Sequence, residues 1–374
     1  MKPGHPAELV LDLARLVGGG LDLLRCCTAA DADGVREAWQ RWSGTTGPPH
    51  ASSFGGRRRR ERGMLAMLSS RLREAQVETD AELATLLRMA LVRERRRAEA
   101  HRAVLIEVLD AVDSDALVLR GPPLAEWAYH DPDLRHSGPL QILVEPGAFD
   151  SAAASVAAVT RHLGRAPGRA VSEHASGLEV VIATSLFPGR LHAVDASSVT
   201  AQRKVVTVAG RPVATLDPTL TLLELCVLCS SHPGVRHLRW PADAVLVAKT
   251  GEVDWDHFVE TGVSWRLGPV IASTSQLLRD ELGADIPADV PGRLVSAGRS
   301  DALTAELAVA AYREAVGGDL RSLLTHLPDP RSRWRAVRMT GRPSPAMQRL
   351  TGRPFRWRDQ PGRATRTARA WVHR

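Results

Sequence analysis

Apolar residues recur every three to four positions through much of the first 110 residues. ELVLDLARL and VREAWQRW each gather them on one helical face. The run TTGPPHASSFGG, Thr45 to Gly56, breaks this rhythm with Gly, Pro and Ser and reads as a loop. From Met64 to about Asp110 the helical period resumes, with one break near Glu78-Thr79-Asp80. Thr79 is expected to cap the second helix, with Glu82 as its capping-box partner. The heptads are too irregular for a coiled coil. Beyond residue 111 the pattern shortens. Ala116–Leu119, Leu140–Val144, Leu178–Ala183 and Lys204–Val208 are rich in Val, Ile and Leu and predict strands. Ser151 to Leu163 predicts a helix between them. Asp217-Pro218 then marks a helix start, with Asp at the cap and Pro in the first turn. LTLLELCVLCSSH, HLRWPADAVLVAKT and further helices follow to about Leu327. The fold class expected is α+β: a small mixed sheet with helices at 111–215, flanked by a helical N-terminal unit (1–110) and a helical domain (216–330). A segment at 331–374 stands apart, and no internal repeat is present.

Composition adds exclusions. The 374 residues suffice for two or three compact units, and 44% hydrophobic content is ordinary for a globular chain. No apolar run approaches the roughly 18–20 residues of a membrane span. MKPGHPAELVLDLARL carries acids inside its apolar stretch and lacks a signal peptide's core, so a cytoplasmic protein without membrane contact is expected. Four cysteines are too few for a disulfide scaffold in a chain of this length. Cys226 and Cys229, followed by His232, have zinc-like spacing. With no second ligand pair they read better as small apolar residues of a buried helix.

Charge is uneven. Residues 331–374 hold 13 arginines and one acid, Asp359, a balance of +12, whereas the remainder has 36 basic and 41 acidic side chains, or −5. Trp334, Phe355, Trp357 and Trp371 interleave with those arginines. Such a segment suits three roles: packing on an acidic body, wrapping a protein or peptide partner, or, as the lesser alternative, stacking and gripping nucleic acid. Packing on the body is the leading expectation. The runs Arg57–Arg60 with Arg62, and Arg93 with Arg95–Arg97, read as solvated faces. Glu173 and His174, in AVSEHASG, read as a loop.

The densest signal is Leu117 to Val144, LVLRGPPLAEWAYHDPDLRHSGPLQILV. It closely resembles a family of uncharacterised bacterial nucleotidyltransferases of the polymerase-β superfamily, where the stretch looks like LKGxxLAxxxYpdpxxRpSgDIDLLV. LLELCVLCSSHPGVRHLRWPADAVLV extends the resemblance, relatives having something like LLHLCVHAAKHxxxRLRWLLDLALLL. The resemblance implies a small nucleotidyltransferase-like sheet and transfer from a nucleotide such as ATP. Such transfer needs Mg²⁺ to hold the triphosphate and offset its growing charge. Mg²⁺ in turn needs converging carboxylates. An Asp-x-Asp on one strand supplies two on one face, and a third acid comes from a neighbouring strand resembling VDLHW.

All three positions depart in this chain. Pro139 and Gln141 stand at the Asp-x-Asp, and Val181 stands at the third acid. Proline has no carboxylate, and a neutral amide cannot neutralise a cation. Arg120 replaces the lysine before the first Gly, keeping charge but changing geometry. The surrounding shell is retained at Gly121, Leu124, Tyr129, Pro132, Arg135, Ser137 and Gly138, and Arg120 is expected to line the same nucleotide pocket. Glu179, Glu145 and Asp133 are the acids that a displaced metal site would use, with Asp133 otherwise a turn residue. The expectation is a catalytically degenerate homologue that acts by binding, with no cofactor. The family resemblance also implies an accessory role in peptide natural-product pathways. The alternative is an active transferase using Mg²⁺, ATP and the displaced acids, with a small-molecule or peptide acceptor. The weaker alternative is nucleic-acid binding through Arg331–Arg374.

Overall fold

The computed structural model describes residues 20–46, 63–112, 115–187, 194–231, 238–265 and 267–297. ELVLDLARL, Arg57–Arg60 with Arg62, His232 and the basic segment 331–374 lie outside the described residues.

Among the described residues four helices come first: α1 (Gly20–Thr28), α2 (Ala32–Thr46), α3 (Leu65–Glu74) and α4 (Ala81–Ala111). Helix α2 carries VREAWQRW and runs two residues into the stretch read as a loop. The cap of α4 is Asp80 rather than Thr79. The Asp80 carboxylate accepts from the Leu83 N–H at 2.7 Å, because it stands immediately before the first helical residue while Thr79 is one residue too early. Along α4 the buried positions are Leu83, Leu87, Ala90, Leu91, Glu94, Ala98, His101, Val104, Leu105 and Val108. Their spacing of three to four makes one continuous stripe, and Glu94 and His101 put polar groups in its middle.

The sheet is mixed, with order β1-β2-β5-β4-β3. Its strands are β1 (Leu117–Leu119), β2 (Leu140–Leu143), β3 (Arg161–Ala166), β4 (Arg169–Glu173) and β5 (Glu179–Ala183). β2 runs antiparallel to β1 and parallel to β5. Between β1 and β2 lies α5 (Gly121–Ala128), and α6 (Phe149–Val159) follows β2. A separate hairpin, β6 (Arg203–Val208) with β7 (Arg211–Leu216), leads into α7 (Pro218–Ser231), α8 (Arg239–Lys249), α9 (Trp255–Ser264), α10 (Gly268–Leu282) and α11 (Val290–Ala297). As expected at Asp217-Pro218, the Asp217 carboxylate accepts from the Leu220 N–H at 2.7 Å. The α+β class is observed. Among the described residues no helix is long and apolar enough to cross a membrane.

Two expectations are corrected. The Ser151–Leu163 helix ends at Val159, and Arg161–Ala166 forms an edge strand with Leu163 exposed. Thr160 is extended, and the tight turn at Gly168 (φ +65°) folds β3 onto β4, so strand pairing overrides the helical pattern. For the same reason the AVSEHASG loop begins only at His174, because Val171–Glu173 pair with β5.

Strand alternation divides the core. Val118, Leu140, Ile142, Val180 and Ile182 pack with Phe149, Ala152 and Val156 of α6 and with Val104, Leu105 and Val108 of α4. Leu117, Leu119 and Leu143 belong to the larger cluster that includes α7 and α8. Gln141 shares the Leu143 face by parity, so the second position of the Asp-x-Asp pattern is turned towards α7.

Candidate functional site

The turn from β1 into α5 is made by Arg120 and Gly121, both at positive φ (+58° and +52°). Gly121 tolerates this freely, whereas Arg120 is strained, at a cost on the order of 1–3 kcal/mol. Its guanidinium is turned towards β2 and α7. Nη2 donates to the Gln141 side-chain oxygen, and Nη1 donates to Glu224 of α7 at 2.6 Å. Glu224 is fully buried. Burial pushes its carboxyl above the ordinary range, which the charges of Arg120 and Arg135 partly oppose. Its second oxygen, Oε2, is buried without a partner.

The register fixes where the family's acids would stand. Gln141 and Val181 are direct partners across the parallel β2–β5 pair. An acid at each would therefore converge on one face, with Pro139 one step before the strand. In this chain that face carries a buried valine and an amide engaged by arginine. These residues do not fit Mg²⁺: none of the three offers a charge, and the one oxygen donor already accepts from Arg120. Among the described residues no group of three or more His, Cys, Asp or Glu is placed to hold a metal ion.

The acids considered as substitutes have other attachments. Asp133 accepts from Arg102 at 2.8 Å, and the same guanidinium also bonds Glu126. Glu145 accepts from the Thr200 hydroxyl at 3.0 Å. Glu179 begins β5 opposite Glu173 of β4. His174 faces Glu107 of α4 at 3.2 Å and Ser176 at 2.8 Å, within a turn.

A second cluster holds the retained shell. Arg135 grips Asp243 of α8 with two bonds, from Nε at 2.9 Å and Nη2 at 2.8 Å. Tyr129 donates to the same carboxylate at 2.6 Å. Arg135 Nη1 also reaches the Gly121 carbonyl at 3.2 Å and Ser137 at 3.3 Å. Asp243 is fully buried and Arg135 nearly so. Burial depresses the Arg135 guanidinium, but the Asp243 charge more than restores it and the net shift is upward. Burial, and then Asp243, hold the Tyr129 phenol well above its usual range, so it remains a donor.

The loop between these clusters is clamped from both sides. Arg97 of α4 donates to the Ser137 carbonyl at 3.0 Å, and the His101 ring lies 3.0 Å from the Gly138 carbonyl. His136 contacts buried Glu94 at 2.9 Å. Arg97 thus does more than line a solvated face. From the other side Arg239, at the start of α8, donates to the His136 carbonyl at 3.3 Å. A Cβ on Gly138 would lie 2.7 Å from Arg239 Nη2, so a larger residue there would push the guanidinium aside.

The model of the uncharacterised nucleotidyltransferase family matches residues 57–282, more than half of the chain. The chain belongs to this family. No curated protein and no solved structure matches it. Within the family scaffold, three residues that the local patterns did not single out complete the site: Glu224, Arg239 and Asp243. The available signal was a lone acid in each of two otherwise apolar helices, LLELCVLC and WPADAVLV, because a buried charge requires a partner. The cysteines keep the bland role expected of them: Cys226 is buried and its thiol is pushed up to about 12 by desolvation.

Proposed function

We propose that this nucleotidyltransferase-family protein is catalytically degenerate and acts by binding. One observation carries the reading: the position of the second metal-binding acid is Gln141, tied to Arg120 and through it to Glu224. An internal guanidinium takes the side of the sheet where family members would gather a cation. Metal supplies most of the charge stabilisation in this reaction class, so losing three carboxylates at once removes the means of transfer. The retained residues serve architecture: the Arg135–Asp243–Tyr129 cluster joins α8 to the loop before β2 and holds that loop in place without its chemistry. The role is then an accessory one, suited to a protein or peptide partner of the kind that the family resemblance implies.

The test is to incubate the protein with Mg²⁺ and α-labelled ATP and to follow label transfer and pyrophosphate release. No release above the protein-free blank is expected. Mg²⁺-dependent turnover that disappears in Glu179→Ala would overturn the proposal in favour of an active enzyme with displaced acids.

A further inference from the structure

We infer that the outer face of α4, from Arg88 to Arg96, is a docking surface for an acidic, amphipathic peptide segment of a partner protein. The inference rests on the binding reading above and gives it a surface and a partner chemistry. The face lies opposite the buried stripe of α4, so its residues are separate from the Arg120 and Arg135 clusters.

Between Leu83 and Ala98 the exposed residues of α4 are Thr85, Arg88, Met89, Val92, Arg93, Arg95 and Arg96. Every exposed charge in this span is positive, because its one acid, Glu94, is turned inward to His136. The helical period gathers Arg88, Met89, Val92, Arg93 and Arg96 on one side. Met89 is 59% exposed and Val92 41%, and they lie about one turn apart. The other large apolar residues left exposed, Leu163, Val205 and Val295, stand singly on β3, β6 and α11. Exposed arginines elsewhere are mostly held by acids, as Arg41 is by Glu37, Arg161 by Glu173 and Arg203 by Asp115. On α4 itself Arg95 has Asp131 at 3.7 Å, and Arg97 turns in to the Ser137 carbonyl. Among the described residues Arg88, Arg93 and Arg96 have no carboxylate partner, and Arg88 reaches the Thr85 hydroxyl at 3.5 Å. Like charges at this spacing destabilise a helix, so the face carries a local cost that an acidic partner would remove.

Charge and shape choose the occupant. Arginine and methionine are favoured at recognition surfaces, the first for its paired donors to carboxylates and the second for its adaptable apolar contact. An apolar pair rimmed by unpaired arginines fits a helix that presents apolar residues one turn apart with Asp or Glu beside them. A second copy of the chain would set arginine against arginine, and the segment 331–374, at +12, is repelled in the same way. Nucleic acid would place phosphates over Met89 and Val92, and the exposed residues of the span include no aromatic ring for a base to stack on. A lipid surface needs a broader apolar face than two side chains.

The experiment pans a random peptide-display library on the full chain, with counter-selection on the triple variant Arg88→Glu, Arg93→Glu, Arg96→Glu. Enriched peptides are expected to carry Asp or Glu around apolar residues at helical spacing. A synthetic copy of the leading peptide, followed by fluorescence anisotropy, should bind the triple variant at least tenfold more weakly, and Met89→Ser more weakly than the parent. The three arginines are exposed, so the triple variant should melt like the parent. Should it melt lower, Arg93→Gln with Arg96→Gln decides: weaker binding supports the surface, and parental binding overturns it. Openness of the face is read from Met89→Cys. Desolvation pushes the native thiols of Cys26 and Cys226 up to about 12, so maleimide should react with Met89→Cys well before it reacts with the parent. Labelling of Met89→Cys no faster than the parent would mean that the chain covers its own face, and would overturn the inference. So would a library that yields no arginine-dependent peptide, or single-stranded DNA or anionic vesicles that bind more tightly than the peptide and are lost in the triple variant. Mg²⁺-dependent pyrophosphate release alongside arginine-dependent peptide binding would overturn the degenerate reading alone.

Discussion

Two buried ion clusters lie within one sheet-and-helix layer, and they differ in completeness. In the Arg135–Asp243–Tyr129 cluster both carboxylate oxygens accept, and all three guanidinium nitrogens donate. In the Arg120–Glu224–Gln141 cluster one carboxylate oxygen has no partner and Arg120 is strained, and the Nε of Arg239 at the start of α8 is likewise buried without a partner. A satisfied network is what architecture requires, since an orphaned buried charge is expensive. An unsatisfied one persists where a fold once served, or still serves, a ligand. The difference separates a fully paired part of the site from a part that leaves buried polar atoms without partners.

Breaking the complete cluster should have the largest effect. Asp243→Ala leaves Arg135 buried and uncompensated and should destabilise by about 3–5 kcal/mol, measured by urea denaturation. The incomplete cluster should respond less. Arg120→Met orphans Glu224 but relieves a side chain that is partly exposed, for a loss of roughly 2 kcal/mol, and the double variant Arg120→Met with Glu224→Leu should recover part of it. A recovery as large as the full loss would show that the pair contributes no net stability. A double variant worse than the single one would contradict the view that Glu224 is the burden. Finer still is the backbone. Arg120→Gly should be more stable than Arg120→Ala by about 1 kcal/mol, since both lose the cation but only glycine loses the strain at φ +58°. Equal stabilities would mean that the turn stores nothing.

The smallest expected effect concerns the clamp that both clusters share. Burial lowers the His101 pKa below the ordinary histidine value, outweighing the Arg97 and Gly138 carbonyls that favour the charged ring. The unfolded chain then binds more protons than the folded one as pH falls below about 6.5, so stability declines there and is regained at neutrality. His101→Gln should flatten that acid limb by under about 1 kcal/mol, read from melting temperatures across pH 5–8. A variant with the parent's slope would place the acid sensitivity elsewhere.

Much of this site was legible along the chain because it is built from local pattern. Strand parity and the motif from Leu117 to Val144 put Pro139 and Gln141 in register with Val181, and the β2–β5 pairing sets Gln141 directly against Val181. The positions of Arg135 and Tyr129 in the shell were legible for the same reason. Their partner Asp243 was not, since it lies 108 residues from Arg135 on a helix whose local pattern reports only burial. Glu224 and Arg239 were hidden in the same way. The hairpin of β3 and β4 was missed because an Ala-rich helical pattern continues into Arg161 and His162, where pairing across a turn decides the conformation. Local periodicity carries the scaffold, while charge pairing across long separations carries the site.

The central claim is that an internal guanidinium has displaced the metal from this family scaffold. It is tested most directly by titrating ATP calorimetrically into the full chain with Mg²⁺ and again with EDTA. The account predicts an affinity that Mg²⁺ does not increase. Nucleotide binding that strengthens tenfold or more with Mg²⁺, and loses that gain in Glu179→Ala, would contradict it.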